Sequence, residues 1–169
     1  MPASIAAELA IQCTMVMEEN VKRIEKCLNE LSETEVWLRP NSQLSSPANL
    51  ILHLCGNITQ YAISSLGNTP DARERALEFS STGGYSKQEL ADKLSDTVHR
   101  AVHVILKASE AELLRVRTVQ GFNMSGIAVM IHVTEHLSYH TAQIALHTKL
   151  LKEKDLGFYA SLDLNVKND

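Results

Sequence analysis

Residues 131–146 read IHVTEHLSYHTAQIAL and place His132, His136 and His140 at successive steps of four. An α-helix turns once every 3.6 residues, so the three imidazoles share one face if this stretch is helical. The remaining positions are largely apolar, as in a helix that packs on a core. This stretch therefore predicts a long helix that carries a row of histidines.

A second helix-like stretch, residues 48–63 with the sequence ANLILHLCGNITQYAI, presents His53. No charged residue occurs between Arg39 and Asp71, so this histidine lies in an uncharged segment. Neutral imidazoles from two helices suit a divalent transition metal that keeps coordination positions open for water or substrate. The two stretches together predict a histidine metal site.

Four long helices can be delimited from their capping signals. They cover residues 4–31, 46–67, 86–108 and 125–151. Ser46 with Pro47 is typical of a helix start, and Ser86 with Glu89 forms a capping-box pattern. Because no stretch strongly favours strands, the chain is predicted to be an all-α, antiparallel four-helix bundle. A length of 169 residues favours a single domain over residues 1–169.

The connections are predicted less sharply than the helices. Ser32 with Glu35 suggests a short capped turn that carries Trp37. Residues 71–85 form a charged connection that contains glycine, and residues 113–122, LLRVRTVQGF, are expected to be an extended linker or a short ribbon. The C-terminal tail, residues 160–169, is expected to be loose.

Composition limits the partners of the chain. A formal charge of −4 and a pI near 6.0 argue against nucleic acid, whose phosphates attract basic surfaces. The chain lacks a signal-peptide pattern and an apolar run long enough to span a membrane. The odd number of cysteines without CxxC spacing indicates reduced thiols, so a cytoplasmic location is expected. Cys13 and Cys27 are expected to face the core.

Each of the two histidine-bearing helices carries a polar stripe about 80° wide. The stripe on the earlier helix comprises Asn49, His53, Asn57, Gln60 and Ser64. The stripe on the later helix comprises Ser125, His132, His136, His140, Gln143 and His147. Both stripes could face water, but solvent-facing helices normally carry Lys and Glu, which are scarce here. The stripes are therefore expected to face each other across a polar pocket.

The pattern of one histidine in ILHLCGN followed far downstream by EHLSYHTAQIAL resembles the DinB/YfiT-like superfamily, whose members are four-helix bundles. The H-x3-H-x2-Q element is its most telling motif. The resemblance implies that His53, His136 and His140 bind a divalent metal, often nickel, zinc or iron, and that Gln143 follows them in the pocket. Ala142 stands where the family often has glycine.

The remaining histidines have weaker claims to a metal. His132 could replace a ligand or bond to one, and Asn57 could orient a bound molecule in the pocket. His147 lies two turns beyond His140 and is expected at the pocket rim or surface. His99 and His103 also have i, i+4 spacing, but their helix is rich in charge, so a solvated face accounts for them.

An all-histidine site leaves the metal with nearly its full charge, which makes it a strong Lewis acid. Glu135 is expected to point away from His136, and no HExxH motif is present, so no catalytic acid or base is assigned.

Two classes of function follow. The resemblance implies an enzyme: a thiol-dependent S-transferase or isomerase that uses a low-molecular-weight thiol, such as bacillithiol or mycothiol, or a metal-dependent hydrolase. The alternative is a non-catalytic, stress-related bundle that binds a metal or small ligand. The apolar second helix also favours a homodimer, because it exposes apolar surface beyond the needs of one core.

Overall fold

The computed structural model describes residues 4–168, and they are mostly helical with one two-stranded ribbon. In chain order the elements are α1 (Ile5–Glu30), a 3₁₀ turn (Glu35–Trp37), α2 (Pro47–Ile58), a π-helical segment (Thr59–Leu66), α3 (Arg75–Ser80), α4 (Lys87–Lys107), α5 (Glu110–Leu114), β1 (Val116–Val119), β2 (Phe122–Ser125) and α6 (Gly126–Lys152). The predicted helical class is confirmed, and the predicted long helices correspond to α1, α2 with the π-helical segment, α4 and α6.

The helix starts follow the capping chemistry of the sequence. Ser46 accepts the backbone N–H of Asn49 at 3.2 Å, with Pro47 at the first helical position. Ser86 and Glu89 satisfy each other's backbone N–H groups in a full capping box. These caps fix where α2 and α4 begin, because they satisfy N–H groups that have no partner within the helix.

The ribbon departs from the all-α class, and it confirms the short ribbon that was one of the two alternatives expected for residues 113–122. β1 and β2 pair antiparallel, with Val119 opposite Phe122, so residues 113–122 include a strand and a turn. Gln120 and Gly121, the two turn residues, both have positive φ, at 51° and 84°. That conformation defines the tight hairpin turns that match the twist of the strands.

Two short helices, α3 and α5, were not predicted. α3 lies inside the charged, glycine-containing connection of residues 71–85, and no side chain caps its first turn. Six residues are too few to display a helical period, which explains the omission. α3 nevertheless contributes Glu78 and Phe79 to the neighbourhood of the histidines.

α1 packs against α4 and α6, and α2 packs against the same two helices. Asn20 of α1 bonds to Ser138 of α6, and Glu30, the last residue of α1, bonds to Lys154, two residues past the end of α6. α1 and α6 therefore run in the same direction, whereas the sequence predicted antiparallel neighbours.

The long connection between α2 and α4 explains this direction. Cys55 lies near Thr97, and Gly67 lies against Val104, so α2 with its π-helical extension runs parallel to α4. Residues 67–86 must therefore return along the length of a helix before α4 begins. This returning segment passes beside the histidines and brings charged residues next to them.

The core is formed by the inner faces of the long helices and includes Cys13 and Cys27, as predicted. Its largest fully buried side chains are Met17, Ile24, Leu31, Ile51, Leu54, Ile58, Leu90, Leu94, Ile105, Met130, Leu137 and Ile144. Within residues 4–168, no helix combines the length and the apolar character needed to cross a bilayer. Residues 160–168 are exposed and make only local turns.

Candidate metal centre

Three histidines converge between α2 and α6. His53 comes from α2, and His136 and His140 come from adjacent turns of α6; their ligand nitrogens all lie within 4.8 Å of one another. Nε2 of His53 is 2.9 Å from Nε2 of His136. His53 and His140 are buried, and His136 is half-buried. In residues 4–168 this is the one group of potential ligands with metal-binding geometry.

The environment keeps the α6 imidazoles neutral. Burial, helped by the neighbouring imidazoles, lowers the pKa of His136 to about 3. Burial also lowers the pKa of His140, an effect that its hydrogen bond to Gln143 partly offsets. Neutral imidazole is the form that binds a metal, so these surroundings favour coordination.

Hydrogen bonds assign the tautomers of two of the three rings. Nδ1 of His140 lies 2.7 Å from Oε1 of Gln143, and Nδ1 of His53 lies 2.9 Å from Oε2 of Glu78. Amide and carboxylate oxygens only accept, so both Nδ1 atoms carry the proton. The Nε2 lone pairs of His53 and His140 are therefore available to a ligand.

Glu78 and Arg73 were missed in the sequence. Arg73 Nε donates to Oε1 of Glu78 at 2.7 Å, and Arg73 Nη2 donates to Oε2 at 2.8 Å, in a bidentate pair. Their side chains are only 3% and 9% exposed. Burial acts to raise the pKa of Glu78, but the hydrogen bonds from Arg73 and His53 hold it below its usual value. The sequence feature that could have pointed to these two residues is a charged connection directly after an uncharged helix.

A second layer of polar side chains lies one helical turn from the histidine group. Asn57 Nδ2 donates to Nε2 of His132 at 3.1 Å. The ring of His132 stacks between Tyr61, at 4.2 Å, and His136, at 5.3 Å between ring centres. Oδ1 of Asn57 is buried without a partner among the described residues. His132 thus bonds to Asn57 and stacks on His136, outside the convergent group of three.

The two polar stripes meet only in part. His53 and Asn57 reach across to α6, as predicted. The other members of the α2 stripe bond instead to the connection around α3: Asn49 to the carbonyls of Glu78 and Ser81, Gln60 to Asp71, and Ser64 to the carbonyl of Pro70. The connection that follows the π-helical segment occupies the space that these side chains face.

The remaining candidates lie elsewhere. His99 and His103 are exposed on α4, as predicted. His147 is only 8% exposed and lies against the backbone of Leu38, so its predicted surface position is wrong. The polar stripe predicted on α6 continues to His147. The segment that follows the 3₁₀ turn covers it at this end of the helix.

Two further groups are excluded from the histidine site by their positions. Burial raises the pKa of the Cys55 thiol to about 11, and Thr97 of α4 bonds to it, on the side of α2 away from His53. Glu135 is exposed on α6. Neither residue belongs to the convergent group that could hold a metal.

The residues present fit a divalent transition metal. Two rings offer free Nε2 atoms, the third imidazole is neutral, and an unpartnered Asn57 oxygen lies in the next layer. The group could therefore hold a metal ion.

Comparison with solved structures shows the fold of the chain. A conserved protein from Enterococcus faecalis superposes with a TM-score of 0.73 at 15% identity, covering 85% of this chain and 96% of its own. A DinB-like protein (YjoA) from Bacillus subtilis superposes with a TM-score of 0.66 at 16% identity, covering 88% and 96%. The chain thus has a DinB-like fold, which confirms the resemblance drawn from the sequence.

The family is established by sequence. The chain belongs to the family described as Protein of unknown function (DUF1572), whose model matches residues 5–163. No curated protein matches the chain.

Proposed function

We propose that His53, His136 and His140 bind one divalent transition metal, with nickel, zinc and iron as the candidates. The observation that carries this proposal is the convergence of three ligand nitrogens within 4.8 Å of one another. Three neutral nitrogen donors suit these ions alike, so the donor set does not select among them. The same proposal takes the four long helical segments as a four-helix bundle that forms a single domain.

The proposed activity is that of a thiol-dependent S-transferase. When bound, a divalent metal lowers the pKa of a coordinated thiol and so supplies a thiolate nucleophile. A free thiol has a pKa near 8.5, far below that of water, so its deprotonation needs a smaller pKa shift from the site. Among residues 4–168, the carboxylate that bonds to a histidine of this group is that of Glu78, and Arg73 engages both of its oxygens, so it is not free to act on water.

The residues of the second layer would position the small molecule. Asn57 Oδ1 is buried and has no hydrogen-bond partner within residues 4–168, so it can accept a hydrogen bond from a donor group of the bound molecule. Tyr61 and the stacked ring of His132 form one wall of the same layer. This arrangement supports a small, polar co-substrate at the centre.

The test has two stages. Freshly purified protein is analysed for bound metals, and metal-free protein is titrated with zinc and nickel by calorimetry. Metal-loaded protein is then assayed with several cellular thiols and a generic electrophile such as chlorodinitrobenzene. Conjugation that is lost in His53→Ala and kept in His99→Ala supports the transferase. Equal rates for wild type and His53→Ala would refute the catalytic part.

Metal binding without conjugation for any pair would favour the alternative, a non-catalytic metal- or ligand-binding bundle. Hydrolysis of a simple ester by the metal-loaded protein, again lost in His53→Ala, would favour the hydrolase. The cytoplasmic location stays a prediction from the free thiols of Cys13, Cys27 and Cys55.

A homodimer is part of the proposal, although α2, whose apolar character motivated it in the sequence, is almost completely buried within the chain. α6 exposes large apolar side chains at Ile131, Tyr139, Leu146 and Leu150, each more than half exposed. Apolar surface of this kind gains free energy when a partner covers it. Light scattering should therefore give twice the chain mass, and a monomeric mass would refute this part.

A further inference from the structure

We propose that Glu78 is a positioning residue of the metal centre: held by Arg73, it fixes His53 as an Nε2 ligand, and Gly56 is the position that admits this ion pair. The inference rests on the proposed metal binding and deepens it. It assigns a role to the connection around α3, which contributes no ligand itself.

The first step is the orientation of His53. Its Nδ1 lies 2.9 Å from Glu78 Oε2 and 3.2 Å from Arg73 Nη2. An unprotonated Nδ1 would place its lone pair against a carboxylate oxygen, so Nδ1 must donate to Glu78. Arg73 Nη2 has two hydrogens and donates one of them to the same oxygen, at 2.8 Å. The carboxylate thus leaves His53 Nε2 as the only free nitrogen of the ring.

The second step is the direction in which that nitrogen points. Nε2 of His53 lies 2.9 Å from Nε2 of His136. Because His53 Nε2 bears a lone pair, His136 Nε2 carries the hydrogen between them in the metal-free protein. Glu78 therefore holds His53 from behind while its Nε2 faces the other two histidines.

The third step is the rigidity of the carboxylate. Arg73 Nη1 donates to Oε1 of Gln60 at 2.9 Å, and Gln60 Nε2 donates to Oδ2 of Asp71 at 2.7 Å. Asp71 Oδ1 accepts the backbone N–H of Arg73 at 3.0 Å, which closes the loop of bonds. Glu78 is therefore held by a guanidinium that is itself fixed, and the positive charge of Arg73 offsets its negative charge beside the metal.

The fourth step is the close approach of this pair to α2. A Cβ at Gly56 would lie 1.9 Å from Oε1 of Glu78 and 3.0 Å from Nε of Arg73. Any larger residue must therefore displace the carboxylate. A cavity of about 490 Å³, lined in part by Gly56, Arg73 and Glu78, adjoins the pair and gives the displaced side chains room. Gly56→Ala therefore shifts Glu78 without removing any polar group.

The experiment compares Gly56→Ala with Gly83→Ala, where an added Cβ meets nothing within 4 Å. A second variant, Arg73→Met/Glu78→Met, removes both charges together and so leaves neither one buried alone. Its control is Glu74→Gln, an exposed carboxylate on the same connection. Glu78→Gln is the conservative variant, because its amide oxygen can still accept from His53.

Two readouts are taken. In metal-free protein, the NMR chemical shifts of the imidazole nitrogens report the tautomer of His53. The proton should stay on Nδ1 in wild type, in both controls and in Glu78→Gln. Gly56→Ala and the double variant should lose this preference for Nδ1. In calorimetric zinc titrations, those two variants should bind about 10- to 100-fold more weakly than wild type, as is typical when an outer partner of a ligating histidine is lost. Glu78→Gln should fall between them and wild type.

The outcomes separate the two proposals. Wild type that binds no zinc refutes the metal centre, while the tautomer measurement still tests the role of Glu78. Wild type that binds zinc, together with unchanged affinity in folded Gly56→Ala and in the double variant, overturns the positioning role. An unchanged His53 tautomer in those variants overturns it as well. Circular dichroism checks that each variant is folded. The three site variants perturb the site in different ways, so if one of them fails to fold, the other two still test the positioning role.

Discussion

Two histidine pairs with the same i, i+4 spacing have opposite surroundings. His136 and His140 on α6 converge with a third histidine, whereas His99 and His103 on α4 are exposed. Spacing alone places two imidazoles on one face of a helix in both cases. What differs is the element opposite: α2 brings His53 to the α6 pair. A histidine pair becomes a candidate site only through the chain that faces it.

The surroundings also differ in charge. The α4 pair flanks Arg100, which forms a solvent-exposed ion pair with Asp96 at 3.6 Å. Near the α6 pair the charges are buried and matched, since Arg73 and Glu78 pair at 2.7 Å behind His53. Water screens the first pair, so it contributes little, whereas the second depends on its geometry.

The largest expected effect separates the two pairs directly. His136→Ala/His140→Ala should abolish stoichiometric zinc binding, because one imidazole cannot hold the ion as three do. His99→Ala/His103→Ala should bind as wild type does. Calorimetry with metal-free protein measures both. Comparable affinity in the two double variants would mean that the α6 group is not the metal site.

The second effect contrasts the two ion pairs. Glu78→Ala leaves the guanidinium of Arg73 buried without its partner, so unfolding free energy should fall by about 3–5 kcal/mol. Asp96→Ala on α4 should cost less than about 1 kcal/mol, because its pair is exposed. Urea denaturation of the metal-free proteins measures both. A loss for Glu78→Ala no larger than that for Asp96→Ala would contradict the buried pair.

The sequence was sufficient for the features that depend on local chemistry. Caps such as Ser46 and Ser86 and the apolar period set the long helices, because each signal acts within one or two turns. His53, His136 and His140 could be singled out because their types and spacing suit a metal. That they bind one remains a proposal.

The sequence was insufficient for features set by long-range packing. Glu78 bonds to His53 across 25 positions, and nothing local marks that contact. The burial of His147 depends on the segment around Leu38, which follows α1 and the 3₁₀ turn and covers this part of α6. The parallel course of α1 and α6 likewise follows from where the connection before α4 returns. These contacts are decided by topology, which periodicity does not encode.

The third effect compares the helix starts of the two regions. Ser125 accepts the N–H of Ala128 at 3.1 Å to cap α6, and Ser86 caps α4 within a full capping box. Each Ser→Ala change should cost about 1 kcal/mol, and Ser86→Ala should cost slightly more, because Glu89 also loses its hydroxyl partner. Thermal denaturation measures both, and zinc affinity should stay within twofold. A large loss of affinity in Ser125→Ala would show that the start of α6 shapes the site.

The smallest effect concerns a buried histidine of α6 and an exposed one of α4. Burial lowers the pKa of His147 in the folded protein, with the backbone of Leu38 partly opposing that change. The unfolded chain therefore binds more protons than the folded protein once the pH falls below the ordinary histidine pKa near 6.5. Stability from this group is complete above that pH and is lost as the pH falls toward the lower folded pKa.

Between pH 7 and pH 6 one such imidazole contributes at most about 0.7 kcal/mol. His147→Leu should flatten the dependence of unfolding free energy on pH by up to that amount, measured by urea denaturation at each pH, with His99→Leu on the exposed face of α4 as the control substitution. Other buried imidazoles remain in both variants, so the difference isolates His147, and identical pH profiles would show that its burial does not affect its protonation.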